Sequence, residues 1–213
     1  EMQRSLVGSE MCIRDRFGNV KRPTARNTTV EQAKFEVLNH KYTDLSESRY
    51  GAALLNDCKY GISVEGGQMR LSLHKGGCRP DYKGDHGVHD CVYAFLPHQG
   101  AFDVNHVVKP AYQLNYPPVL AGKAFTALPL ALPEAENILV ETIKPCEDEA
   151  RAFIVRLYEA EGAFTNTPVR FFAGAKSAAI CNMLEEPQEG LEDLAKVSLC
   201  FHPFEIKTLR VTY

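Results

Sequence analysis

The chain has 213 residues, 45% of them hydrophobic, a formal net charge of -3 and a pI near 6.2. That length allows one large domain or two small ones with a real core, and the weak acidity argues against a nucleic-acid backbone as partner, which calls for a basic stripe. No run approaches the roughly 18 apolar residues of a membrane span, and the seven scattered cysteines form no CxxC pair, which fits thiols in a reducing compartment better than a disulfide framework.

In chain order, Glu1–Arg16 matches neither helix nor strand period and lacks the basic start and apolar core of a secretory leader. It resembles sequencing-adapter read-through, so it is set aside as a non-native leader, with the native protein expected to continue upstream of Phe17. The sequence then predicts strands. Lys34–His40 alternates, Met69–Leu73 sets Met69, Leu71 and Leu73 opposite Arg70 and Ser72, and Cys91, Tyr93 and Phe95 repeat the pattern with Cys91 inward. Gly66-Gly67 is expected to turn a hairpin. Lys75–His89 is a loop too long to be a simple connection, and a short helix is expected at Val107–Asn115 with Pro110 in its first turn.

Tyr50–Gly61 is the most informative stretch. An apolar run ends at Asn56-Asp57, two residues that suit turns, and a second run follows through Tyr60, Ile62 and Val64, which predicts a hairpin with a polar tip. The tip gathers the amide of Asn56, the carboxylate of Asp57, the ammonium of Lys59 and the phenol of Tyr60, a set that can hydrogen-bond a sugar. The competing reading is that Asn56 and Asp57 bond their own turn while Lys59 is solvated.

Pro117–Pro133 reads as a linker or surface loop. Beyond it, Asn137–Ile143, Ala152–Ala160, Thr167–Ala173, Ala178–Leu184, Lys196–Phe201 and Phe204–Val211 are six short β segments, with Phe153, Val155 and Leu157 in one inward row and Val197, Leu199 and Phe201 in another. Strands at this spacing predict an all-β sandwich or barrel with little helix. Glu185–Lys196 reads as a solvated connector.

Other chemistry is weaker. Cys78, His86, His89 and Cys91 carry zinc-ligand atoms but match no common knuckle spacing. Asp81 with Asp85, or Asp44 with Glu47, could supply the two carboxyl groups of a glycosidase, although spacing cannot establish the required separation and both pairs read equally as solvated loop charges. Tyr42, Tyr50, Tyr60, Tyr82 and Phe102 could stack on sugars, with core or rim packing the favoured role for all but Tyr60. There is no Gly-x-Ser-x-Gly elbow and no phosphate loop.

Several stretches, however, resemble the C-terminal part of family 38 glycoside hydrolases, the α-mannosidases of the cytosolic or vacuolar branch and their bacterial relatives. They are Arg22-Pro23-Thr24, Phe35-Glu36-Val37, His40-Lys41, Asp44-Leu45-Ser46-Glu47, all of Tyr50–Gly61, Met69–Leu73, Pro97-His98 and Pro203–Leu209. The resemblance runs in order over Phe17–Tyr213. It implies a galactose-mutarotase-like sandwich over 17–116, a linker at 117–133 and a small terminal sandwich over 134–213. It also implies a parent that cleaves terminal α-mannosides with retention, using carboxylates and a zinc ion held by an N-terminal barrel and its surroundings, from a His-x-Asp motif onward. None of the seven histidines here has Asp two residues later. No catalytic residue and no metal is therefore expected within this chain, and its partners would be an α-mannoside oligosaccharide and the N-terminal barrel and helical domains of its parent, in the cytoplasm, with no membrane or nucleic acid and with homo-oligomers allowed. The resemblance brings the basic residue of Asn56-Asp57-Cys58-Lys59-Tyr60 toward the active-site region. Ala25 stands where the family commonly has His, Val30-Glu31 where it has an aromatic pair, and Tyr42 where Trp is usual. The alternatives are a stand-alone carbohydrate-binding β-sandwich and a zinc-structured interaction domain.

Overall fold

The computed structural model describes residues 10–15, 17–77, 79–120, 122 and 131–213. They divide into two compact units, Glu1–Pro118 and Val119–Tyr213. Residues 1–9 and 16 of the expected leader and 121 and 123–130 of the expected 117–133 linker lie outside the described residues, as does Cys78.

The first unit packs a five-stranded sheet against a three-stranded one. Its strands are β1 (Glu10–Asp15), β2 (Gly18–Pro23), β3 (Val37–Leu38), β4 (Tyr42–Ser46), β5 (Tyr50–Asn56), β6 (Gly61–Glu65), β7 (Gln68–Ser72) and β8 (Tyr93–Gln99). They are arranged β2-β1-β4-β5-β8 and β3-β6-β7. Ile62 and Val64 are buried between the sheets against Val37, Leu45, Leu54, Met69 and Leu71, and removing a side chain of that size from water stabilises by about 1.5–3 kcal/mol. The other face of β4 and β5 buries Tyr42, Ala53 and Leu55. Against that sheet pack a wide helical turn, Val104–Val108, and the helix it runs into, in which Val104, Val107, Val108 and Ala111 are also buried.

Local signals explain much of this. Gly66 and Gly67 both have positive φ, +55° and +78°, and join β6 to β7 with Glu65 opposite Gln68, the two-residue turn that requires left-handed backbone. A short helix α1 (Thr29–Ala33) starts at a capping box in which Thr28 and Glu31 satisfy each other's amides. The expected helix at Val107–Asn115 is α2 (Lys109–Asn115), with Pro110 in its first turn.

Three expectations are corrected. Glu10–Asp15, set aside as neither helix nor strand, is β1 and pairs with β2 and β4. Asn56-Asp57 does not turn a hairpin: β5 pairs with β4 and β8, β6 pairs with β3 and β7, and the segment between them crosses from one sheet to the other. Tyr93 and Phe95 lie on the face of β8 that Leu54 shares, toward the three-stranded sheet, but are uncovered, 55% and 65% exposed. The opposite face of β8 contains His98, whose Nε2 is 2.7 Å from Oδ1 of the fully buried Asp44. The apolar row is thus left uncovered, while the other row carries a polar residue into the core.

That pair fixes one glycine. A Cβ on Gly51 would lie 2.5 Å from His98 Cε1 and 2.5 Å from Ser46 Cβ, so Gly51→Ala drives the imidazole off Asp44. We expect a loss of about 1–3 kcal/mol from overpacking, read as a lower urea midpoint with unchanged slope; an unchanged midpoint contradicts this packing.

The second unit is also a sandwich. Its strands are β9 (Ala131–Pro133), β10 (Ile138–Pro145), β11 (Ala152–Glu159), β12 (Thr165–Phe171), β13 (Ser177–Cys181), β14 (Pro187–Leu191), β15 (Ser198–Phe201) and β16 (Ile206–Thr212). They form sheets β10-β11-β16-β13-β14 and β15-β12-β9 around a core that includes Val155, Leu157, Val169, Leu199, Phe201, Leu209 and Val211. Val197, Leu199 and Phe201 are the buried row that the sequence predicts, and Val155 and Leu157 are buried as well, whereas Phe153 is half-buried on the Tyr213 ring. The charged stretch 185–196 contains an exposed strand, β14, at the sheet edge.

Glu159 is the polar anchor of this unit. Fully buried at the end of β11, it accepts the amides of Glu161, Gly162, Ala163 and Phe204 and the Asn137 side chain, at 2.7–3.1 Å. One carboxylate thus holds two turns in which Gly162 and Phe204 both have positive φ.

Candidate functional site

At one end of the first unit the chain between β5 and β6 meets the turns at 39–41, 90–92 and 115–116. Asn56 is almost fully buried. Its Nδ2 donates to Asn39 Oδ1 at 2.7 Å, its Oδ1 accepts the Lys59 amide at 3.2 Å, its own amide donates to the Lys41 carbonyl at 3.0 Å, and its carbonyl accepts from Asn115 Nδ2 at 3.1 Å. Asp57 exchanges two bonds with Val92: its Oδ2 accepts the Val92 amide and its own amide donates to the Val92 carbonyl. The Cys58 thiol and that amide hold the Asp57 carboxyl below its ordinary range, and Asp57 in turn pushes the thiol up. These bonds, rather than a closed hairpin, fix the turn, which is why the polar residues here do not pair β5 with β6.

The pinned backbone presents two groups outward. Tyr60 is 43% exposed and lies on His40, ring centroids 4.5 Å apart. The half-buried Lys59 has no side-chain partner among the described residues. Its neighbour Lys41 differs: it sits at φ +62°, donates to the Tyr116 hydroxyl at 3.0 Å and lies 4.4 Å above both the Tyr112 and Tyr116 rings. One ammonium is thus held by aromatics and the other is left available. An ammonium and an exposed aromatic ring on one turn suit a polyhydroxylated ligand, the first offering donors to hydroxyls and the second apolar surface to C–H groups.

Of the four residues singled out by sequence, Asn56 and Asp57 therefore hold the turn, and Lys59 and Tyr60 stand at its surface. Sequence reasoning missed Asn39, His40, Lys41, Asn115 and Tyr116, which come from separate segments; the left-handed Lys41 carries no sequence signal beyond its place after His40. Among the aromatics, Tyr42 is buried and stacked on Phe102 at 5.7 Å, while Tyr50 and Tyr82 are exposed.

The other candidates are not assembled. His89 Nε2 lies 2.7 Å from the Asp85 carbonyl and its ring packs on His74, Cys91 is half-buried, and among the described residues no three His, Cys, Asp or Glu side chains converge on a metal position. Asp81 bonds the amide of Lys83 within its loop. Asp44 is not a solvated loop charge: burial raises its carboxyl and His98 partners it. Among the described residues no helix is long and apolar enough to cross a membrane.

The described residues form two β-sandwich units, the first with a polar crossover at its end. The comparisons give the family of the chain. Residues 10–83 match the model of the glycosyl hydrolases family 38 C-terminal domain, and residues 137–209 that of the family 38 C-terminal beta sandwich domain. The chain belongs to the C-terminal region of glycosyl hydrolase family 38. It is 36% identical to human alpha-mannosidase 2C1 over 98% of its length and 39% identical to alpha-mannosidase G of Dictyostelium discoideum over 91%, and it spans about a fifth of the length of these curated relatives, 21% and 19%. In fold it is similar to an alpha-mannosidase from Enterococcus faecalis V583, with TM-score 0.71 and 17% identity, over 97% of this chain and 24% of that one.

Proposed function

We propose that this chain is the C-terminal part of a longer α-mannosidase that hydrolyses terminal α-mannosides with retention. In this reading the catalytic carboxylates and the zinc that grips the reacting mannose belong to the N-terminal barrel and helical domains, and the turn at 56–60 faces the active-site region. The observation that carries the assignment of the turn is the Lys59 side chain, without a hydrogen bond or ion pair among the described residues, next in sequence to the exposed Tyr60, on a backbone pinned by Asn56 and Asp57. Lys59 would donate to substrate hydroxyls and Tyr60 would offer its ring to sugar C–H groups; no bond-making step is assigned to this chain. Zinc, when bound in the parent, would supply electrophilic grip on the sugar.

Two surface features support docking of the N-terminal part. Tyr50 and Tyr60 are exposed, and a cavity of about 240 Å³ opens beside Arg22 and Arg26, walled by Lys34, Phe35 and Val37, with the Arg22 Nε buried and without an acceptor among the described residues. Cys58, Cys91, Cys146, Cys181 and Cys200 are unpaired, which supports a cytoplasmic location. Sequencing upstream of the reading frame tests the proposal: a barrel carrying His-x-Asp is expected, and its absence decides instead for a stand-alone carbohydrate-binding sandwich.

A further inference from the structure

The two sheets of the first unit are unequal. The five-stranded sheet extends to β8, but the facing sheet stops at β7, so the flank beyond β7 is uncovered. Tyr50 and Phe95 are 60% and 65% exposed there, and with Leu45, Ala52, Gly67 and Met69 they line a cleft of about 190 Å³. Among the described residues β7 pairs with β6 alone. In a two-residue hairpin the pair flanking the turn exchanges its backbone bonds and the pattern then alternates. Starting from Glu65 opposite Gln68, Arg70 and Ser72 are directed to β6, and the amides of Met69 and Leu71 are directed outward. Free strand edges are ordinarily blunted by proline, bulges or a cover. This one runs regularly along an aromatic strip.

We propose that an extended segment from the N-terminal part of the parent adds to the outer edge of β7 as a fourth strand, its alternate apolar side chains covering Tyr50 and Phe95. The proposal rests on reading this chain as part of a longer α-mannosidase. Strand spacing of about 4.8 Å within a sheet and roughly 10 Å between sheets sets such a strand above β8. The occupant is intramolecular because the chain is about a fifth of its relatives and matches family models for C-terminal domains, which leaves most of the parent on the N-terminal side. Backbone pairing supplies the affinity and the alternating side chains the register.

Hydrogen exchange by peptide mass spectrometry across residues 66–73, in the 213-residue chain and in the full-length protein, tests it. Two further amides, those of Met69 and Leu71, are expected to exchange about 100-fold or more slowly at full length. Equal exchange in both overturns the proposal, and so does protection in the 213-residue chain that grows with its concentration, the mark of a second copy on the edge. An α-mannosidase assay of the same preparation separates the two ideas. An inactive protein with protected β7 amides sinks the catalytic reading and keeps the strand; an active one with fast amides removes only the strand.

Discussion

In the full-length protein, Lys59→Ala is expected to lower kcat/KM for an aryl α-mannoside by roughly 10- to 100-fold, and Lys75→Ala to leave it within about twofold. A hydrogen bond from a charged donor contributes about 1.5–3 kcal/mol, and each 1.36 kcal/mol is tenfold in rate. Lys59 is the ammonium of the pinned turn with no partner among the described residues, whereas Lys75 is 83% exposed on a loop and reaches only Glu36 at 3.9 Å. Because Asn56, Asp57 and Val92 fix the backbone without help from the Lys59 side chain, the variant keeps its fold. Circular dichroism and an unchanged melting curve serve as the check. Equal activities of the two variants remove Lys59 from the site.

Glu159→Ala lowers the unfolding midpoint of the second unit by roughly 20 °C. The substitution removes the shared acceptor of five part-buried hydrogen bonds, four of them from backbone amides in the turns at 161–163 and 204. A hydrogen bond to a charged group contributes about 1.5–3 kcal/mol and the loss of several at once reaches about 3–5 kcal/mol, and for a domain of this size each kcal/mol moves the midpoint by about 4–8 °C. Glu159→Gln keeps the shape but points an amide N–H at donors, so it recovers only part of the loss. Glu189→Ala, on the exposed strand β14, is the matched control and shifts the midpoint by about 2 °C or less. A Glu159→Ala midpoint within that control range would contradict the anchoring role.

What the sequence made legible followed from local rules. Gly66-Gly67 demanded a left-handed turn, Pro110 marked a first helical turn, and Val197, Leu199 and Phe201 alternated as a strand with one buried face. The errors arose where a distant partner decided. Asn56-Asp57 has the composition of a hairpin turn, yet Asn39 and Val92 capture those side chains and send the chain to another sheet. In β8 the apolar row of Tyr93 and Phe95 is left uncovered, while His98 on the opposite face is held in the core by Asp44, 54 residues away in sequence. Within the site, Asn56, Asp57, Lys59 and Tyr60 could be singled out because they are contiguous. The roles could not, since whether an ammonium is free depends on where other turns fall. Lys41 and Lys59 are indistinguishable as letters, and only the rings of Tyr112 and Tyr116 separate them.

The most direct test of the central claim is α-mannosidase activity, with and without added zinc, of the 213-residue chain beside the same gene product at full length. Activity at full length, and none in the 213-residue chain at any zinc concentration, is the predicted result. Turnover by the 213-residue chain alone would contradict it, and would return Asp81, Asp85 and the histidines of their loop as the groups to explain.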